Sequence, residues 1–304
     1  MNNTGILKDQ HTAVLMGGPG AEREVSLRSG AAVARALAAC GARVTEVDVT
    51  GPDFFVPSDT TLAFNMIHGT FGEDGQIQQI LEDLAIAYTG EGVEGSRIAF
   101  DKILSKQKFA AAGVPTAAWH VLRRGETPQI TAPCVVKAPR QGSSVGVHII
   151  KDPAELPAAL DDCFQFGEEV LVEEFFQGRE LTIGILGGEA LPIIEIVPHE
   201  GFYDYAHKYT KGASDYFVPA EIGAEATRTV QDAAVAAHRA LGLEVYSRVD
   251  ILLAPDGRLN VMEINTIPGM TETSLLPKAA AVVGLDFPAL CERIAALSLA
   301  RHAH

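Results

Sequence analysis

The stretch "YSRVDILLAPDGRLNVMEIN", Tyr246 to Asn265, holds two apolar runs separated by the turn-forming "APDGR", a pattern that predicts a β-hairpin. Polar residues stand two apart in each run, Arg248 and Asp250 in the first, Glu263 and Asn265 in the second. Side chains at i and i+2 of a strand share a face, about 6.6 Å apart along the backbone. Pairing the runs would therefore place Asp250 beside Glu263 and Asn265. The intervening Ile, Leu and Val want burial, and a buried carboxylate needs compensation, which a metal ion provides. Carboxylates with an amide carbonyl suit Mg²⁺. The alternatives are a ladder of charges across an exposed sheet, or a strand end whose Asn caps a turn. Beyond Asn265 the chain turns through Pro268 and Gly269 toward Ser274.

A chain of 304 residues exceeds what one hydrophobic core usually serves and predicts two or three domains. Lys and Arg total 24 against 39 for Asp and Glu, a formal charge of −15. That balance argues against a nucleic-acid or anionic-membrane surface. A local anion site remains possible, because fields of exposed charges fade over about 8 Å at physiological salt. Cys40, Cys134, Cys163 and Cys291 form no CxxC pair, so neither a zinc site nor a disulfide framework is expected, and a reducing compartment is. The N-terminus has no long apolar segment, and no run of about 18 apolar residues occurs. A cytoplasmic protein without membrane partners is expected.

Outward from the hairpin, "TAVLMGG" (12–18) predicts a buried strand, followed by a glycine turn and a helix that stops at Gly41. Strands follow at "ARVTEVDV" and "TLAFNMIHG", then a helix in "DGQIQQILEDLAI" that Asp74 can N-cap. This alternation predicts an α/β unit with a parallel sheet in the first ninety or so residues. A helix is expected from about Ser96 to Ala112, then strands at "AAWHVL" and "PCVVKA", and longer β runs from "EEVLVEEFF" onward. The aperiodic "HEGFYDYAHKYTKGASDYF" predicts a loop or lid before an Ala-rich helix from about Glu225 to Leu241.

Three further segments could carry chemistry. "GGPGAER" (17–23) sits where a dinucleotide fingerprint would, yet Arg23 occupies the third glycine position. What remains is a helix N-terminus with an early Glu22, able to meet a carboxylate or an ammonium, or simply a first-turn acid favoured by the helix dipole. In "VVKAPRQGSSVGVHII" (135–150), Lys137 ends a buried strand and a Gly/Ser loop follows. Such a loop could cradle phosphates with Ser143 and Ser144, or be a plain hairpin turn. In "EEVLVEEFFQGRELT" (168–182), backbone from Glu173 to Phe176 could meet an adenine edge while Glu180 takes ribose hydroxyls. A solvated edge strand is the alternative.

Taken in order, "GGPGAEREVSLRSG", "IHGTFGEDG", "YTGEGVEGSRIAFDK", "VVKAPRQGSSVGV", "FYDYAHKY" and "EINTIPGMTETSLLP" make the chain resemble the ATP-grasp superfamily, and within it the D-alanine:D-alanine ligases, over nearly its whole length. The resemblance implies an α/β, three-domain ATP-grasp fold with boundaries at 1–94, 95–173 and 174–304. It implies that Lys102, Lys137, Ser143 and Ser144 hold ATP phosphates, that Glu173, Glu174, Phe175, Phe176 and Glu180 bind adenosine, and that Lys208 reaches the γ-phosphate. It implies two Mg²⁺ ions, replaceable by Mn²⁺, on Asp250, Glu263 and Asn265. Glu22 and His68 would face the first D-alanine, Ser274 and the Leu275 backbone the carboxylate of the second, and Arg248 and the Gly269 amide the oxyanion. Glu22, Ser143 and Tyr209 would fasten the lid, with Tyr209 favouring the dipeptide over D-lactate. A homodimer is implied as well. Phe175 stands where the family often has Trp, and "SRVD" where it has "GRID" or "GRVD".

Overall fold

A computed structural model of the chain describes residues 5–142, 145–199 and 214–303. Its N-terminal part is a three-stranded parallel sheet of β1 (His11–Gly17), β2 (Arg43–Val49) and β3 (Leu62–Asn65), ordered β2-β1-β3. The central β1 is apolar on both faces because both are covered. Val14 and Met16 join the core of α1 (Arg23–Ala39), while Ala13 and Leu15 pack with Ile77 and Leu81 of α2 (Gln76–Asp83). Gly17 and Gly18 then turn the chain with positive φ, and a Cβ on Gly18 would lie 2.5 Å from Ile67, so only glycine fits there. Ser26 of α1 ties the strand ends together, accepting the Gly17 N–H at 2.8 Å and donating to the Met66 carbonyl at 2.7 Å.

The single helix expected from about Ser96 to Ala112 is two: α3 (Val93–Phe100) and α4 (Lys102–Ala112). Asp101 has extended backbone between them, and its carboxylate caps α4 by accepting the Ile103 and Leu104 N–H groups. An N-cap within a continuous helical pattern restarts the helix on a new axis. Asp74 does not occupy the N-cap expected of it; Gly75 does, and Asp74 instead accepts the Phe71 and Gln76 N–H groups from just outside.

The central part is an antiparallel sheet ordered β4-β7-β5-β6: β4 (Trp119–Arg123), β7 (Glu169–Glu174), β5 (Cys134–Lys137) and β6 (Val147–Ile150). α5 (Leu156–Cys163) closes the core on its back. The last part is a six-stranded sheet of β8 (Arg179–Leu186), β9 (Glu189–Ala190), β10 (Ile194–Pro198), β11 (Ser214–Phe217), β12 (Tyr246–Leu253) and β13 (Leu259–Asn265), with path β11-β10-β8-β12-β13. Ser214 to Phe217 belong to the segment read as a loop, but pair with β10 as a strand. α6 (Ala224–Ala240) packs Val230, Ala234 and Ala237 on Ile183, Val249 and Val261. α7 (Leu275–Val282) and α8 (Phe287–His302) return to the first unit, where Leu290 and Ile294 share a core with Val33 and Leu37. All four cysteines are free.

Candidate active site

The hairpin forms as the alternation predicts. Asp250 lies opposite Glu263 and Arg248 opposite Asn265, with a bulge just after Asp250. A bulge bends the strand and re-aims side chains. Here Asp250 is ringed by donors: Arg248 engages both of its oxygens, the Thr182 hydroxyl donates to Oδ1 at 2.6 Å, and the Asn265 amide donates to Oδ2 at 3.3 Å. Thr182, on the neighbouring β8 directly opposite Asp250, was not singled out from the sequence.

Two cavities meet at this hairpin. The larger, about 820 Å³, lies between the two antiparallel sheets and is lined by Lys137, Glu173, Glu180 and Asp250, with Phe175 and Phe176 on its wall beside Glu174. The smaller, about 400 Å³, lies between the N-terminal unit and the turn after β13, with Glu22, His68, Arg248, Gly269, Ser274 and Leu275 at its lining, Asn265 among them. Lys102 and Glu263 line both. The break at Asp101 makes Lys102 the first residue of α4, and its Nζ donates to the Gln141 carbonyl at 2.6 Å, beside the Gly/Ser loop. Ser143, Ser144, Lys208 and Tyr209 lie outside the described residues.

In the larger cavity Glu173, whose backbone was expected to meet an adenine edge, has its carboxylate buried between two lysines: Lys137 Nζ at 3.0 Å from Oε2 and Lys106 Nζ at 3.3 Å from Oε1. Burial pushes its carboxyl up, but the two ammonium groups together outweigh that and hold it below the usual range. The backbone N–H groups of Glu174 and Phe175 are spent on the Ala118 and Pro133 carbonyls.

In the smaller cavity the Glu22 carboxylate lies under two glycines, since a Cβ on Gly142 would be 3.0 Å from its Oε2 and one on Gly69 2.3 Å. His68 is fully engaged, with Nδ1 2.9 Å from the Ile267 carbonyl and Nε2 3.1 Å from the Ser29 hydroxyl. Burial lowers its pKa, so the neutral ring donates from Nδ1 and accepts at Nε2. Glu73, which the sequence offered only within the family stretch "IHGTFGEDG", also lines this cavity, accepts the Gly69 N–H at 2.9 Å and lies 3.9 Å from His68. Burial first, then the neighbouring Glu22, pushes its carboxyl up to about 8. Ser274 is the N-cap of α7 but makes no side-chain cap bond to it; its hydroxyl accepts the Thr271 N–H at 3.0 Å, and a Cβ on Gly269 would stand 3.0 Å from that oxygen.

Among the described residues no three His, Cys, Asp or Glu side chains group as a metal cage. The hairpin offers two carboxylates and an amide, all oxygen donors of the kind Mg²⁺ takes when a nucleotide's phosphates complete its shell. That donor set fits a phosphate-shared hard ion such as Mg²⁺ or Mn²⁺ and does not suit the softer, later transition metals.

A parallel-sheet unit followed by two antiparallel sheets that clasp a nucleotide-sized cleft, with lysines on one wall and carboxylates on the other, defines an ATP-grasp ligase. Residues 109–296 match the family model described as D-ala D-ala ligase C-terminus. The chain is 49% identical over 292 residues to a D-alanine–D-alanine ligase of Methylacidiphilum infernorum, covering 96% of each, and 47% identical to that of Citrifermentans bemidjiense, covering 95% of this chain and 96% of that one. The solved structure of the Bacillus anthracis D-alanine–D-alanine ligase with ATP superposes with a TM-score of 0.85 at 33% identity, over 97% of this chain and 99% of that one. The VanG D-Ala:D-Ser ligase of Enterococcus faecalis gives 0.85 at 28%, over 96% and 100%. The chain belongs to the D-alanine–D-alanine ligase family, the ATP-dependent ligases of peptidoglycan precursor synthesis.

Proposed function

We propose that this chain joins two D-alanines through an acyl phosphate, with ATP in the larger cavity and both amino acids in the smaller one. The observation that carries this reading is the junction: Lys102 and Glu263 line both cavities, so a phosphoryl group at the inner end of one can meet a carboxylate in the other.

Each described residue then has a physical task. Lys102 and Lys137 neutralise ATP phosphates, since phosphoryl transfer needs mainly alignment and charge compensation. Asp250, Glu263 and Asn265 would hold two Mg²⁺ ions, with Mn²⁺ a substitute; bound there, the ions neutralise charge that develops on the phosphates. Glu174, Phe175, Phe176 and Glu180 seat the adenosine, while Glu173, expected with them, is buried between Lys137 and Lys106. Glu22 receives the ammonium of the first D-alanine, with His68 as a neutral wall group. Ser274 and the Leu275 N–H receive the carboxylate of the second, whose amine attacks the acyl phosphate. Arg248 and the Gly269 N–H stabilise the resulting oxyanion. Ser143, Ser144, Lys208 and Tyr209 complete the phosphate loop and the lid, which keeps water from a hydrolysable intermediate.

The proposed domain division at 94/95 and 173/174 separates the strands of the three sheets except for Glu174, the last residue of β7, and cuts α3. No helix among the described residues is long and apolar enough to cross a membrane. We take a cytoplasmic homodimer as the working form, with light scattering as its test. The decisive assay is phosphate release from ATP and Mg²⁺ with D-alanine, L-alanine, D-serine, D-lactate or no acceptor, with mass analysis of products. Release that requires D-alanine and yields its dipeptide is expected. ATP binding without D-alanine-stimulated release would remove the proposed amino-acid site.

A further inference from the structure

Lys106 follows Lys102 by four residues in "KILSKQK", and lysines are almost never fully buried. This one is 1% exposed. Its ammonium donates to the Thr116 hydroxyl, which donates in turn to the Val261 carbonyl of β13 at 3.0 Å, and it stands 3.3 Å from Glu173 Oε1. The other oxygen, Glu173 Oε2, takes Lys137. One buried carboxylate is thus shared by two ammonium groups, and of the two only Lys137 lines the nucleotide cleft.

The charge accounting gives this arrangement a consequence. Were Lys137 the only partner, Glu173 would cancel it, and burial would keep that pair closed, because separating two charges in a poorly solvated site leaves each uncompensated. A phosphate would then have to compete with Glu173 for the lysine. With Lys106 in place the triad carries one net positive charge, and Glu173 keeps a counter-ion when Lys137 turns away. We propose that Lys106 is a positioning residue for ATP: it holds Glu173 from behind so that Lys137 is free to serve the nucleotide's phosphates. This rests on Lys137 as a phosphate ligand. Burial lowers the Lys106 ammonium to about 8, with Glu173 opposing that fall, so it remains mostly charged at neutral pH. Its insertion between α4 and the β13 backbone fixes where that charge sits.

The test compares Lys106→Met and Lys106→Gln with the wild-type enzyme, measuring KM for ATP and for D-alanine separately. Both variants should raise the KM for ATP about tenfold, as expected when a buried pair loses one partner, and leave the KM for D-alanine unchanged. Lys106→Gln can still donate to Glu173 and Thr116, so it folds even where Lys106→Met is too unstable to purify. Adding Glu173→Gln removes the charge that retains Lys137 and should recover part of the loss. A folded variant with wild-type KM for ATP overturns the proposal, as do both KM values rising together or no recovery in the double variant. The ligase reading fails separately, if the wild-type chain itself shows no D-alanine-dependent phosphate release.

Discussion

Arg248 and Asp250, two apart on β12, form a two-pronged ion pair: Nε donates to Oδ1 at 3.0 Å and Nη2 to Oδ2 at 2.8 Å. The carboxylate read as a metal ligand is therefore engaged by the cation read as an oxyanion partner. Metal binding and release of Arg248 must be linked, since both compete for the same lone pairs. Arg248→Ala should consequently tighten Mn²⁺ or Mg²⁺ binding in the absence of nucleotide while lowering kcat by about a hundredfold or more. Calorimetric titration with the metal alone, beside steady-state rates, checks both directions. Weaker metal binding in the variant would show that Asp250 is not the shared group.

Glu73 supplies a pH prediction. An acid held near 8 in the fold, against its ordinary 4.5, binds its proton more tightly folded than unfolded. The stabilisation is whole below about pH 4.5 and is lost as pH rises through about 8. Glu73→Gln keeps an acceptor for the Gly69 N–H and removes the titration, so its melting temperature should fall less between about pH 6 and pH 9 than that of the wild type. Parallel curves would place the titrating group elsewhere.

How much of this could be read from the sequence depended on whether the signal was local. The β12–β13 hairpin was legible because period-two alternation and an Asp-Gly turn specify it within twenty residues, and the register that opposes Asp250 and Glu263 follows from it. The break at Asp101 was not. A capping aspartate without a nearby Gly or Pro looks like any polar helix position, and the Arg140 guanidinium that pairs with it at 2.7 Å comes from a loop 39 residues away. Glu73 and Lys106 were missed for a related reason: each looks like a surface charge in its own segment, and only packing turns it inward. Glu173 does line the larger cavity, but its two lysine partners come from separate elements and could not be read beside it.

Gly142 and Glu22 give a test that separates site from fold. A Cβ at Gly142 would come 3.0 Å from Glu22 Oε2, the mobile end of a side chain, and meets no backbone closer than 3.9 Å. Gly142→Ala should therefore leave stability within about 0.5 kcal/mol of the wild type while pushing the carboxylate aside. The KM for the first D-alanine should rise about tenfold, with the KM for ATP unchanged. An unchanged D-alanine KM would mean that Glu22 does not hold its ammonium.

Glu91 joins the N-terminal unit to the β12–β13 hairpin. Its buried carboxylate accepts three consecutive backbone N–H groups, from Glu244 at 2.6 Å and from Val245 and Tyr246 at 2.9 Å each. Those amides immediately precede and open β12, two residues before Arg248. Glu91→Ala leaves all three donors unpaired beneath the surface, at about 1–3 kcal/mol for each left unsatisfied, so a total loss of about 3 kcal/mol or more in urea denaturation is expected. Glu91→Gln retains one acceptor oxygen and should lose less. Because the clamp sets where β12 begins, kcat should also fall in Glu91→Gln at temperatures where the variant is fully folded, whereas a purely global destabilisation would leave kcat of the folded fraction intact.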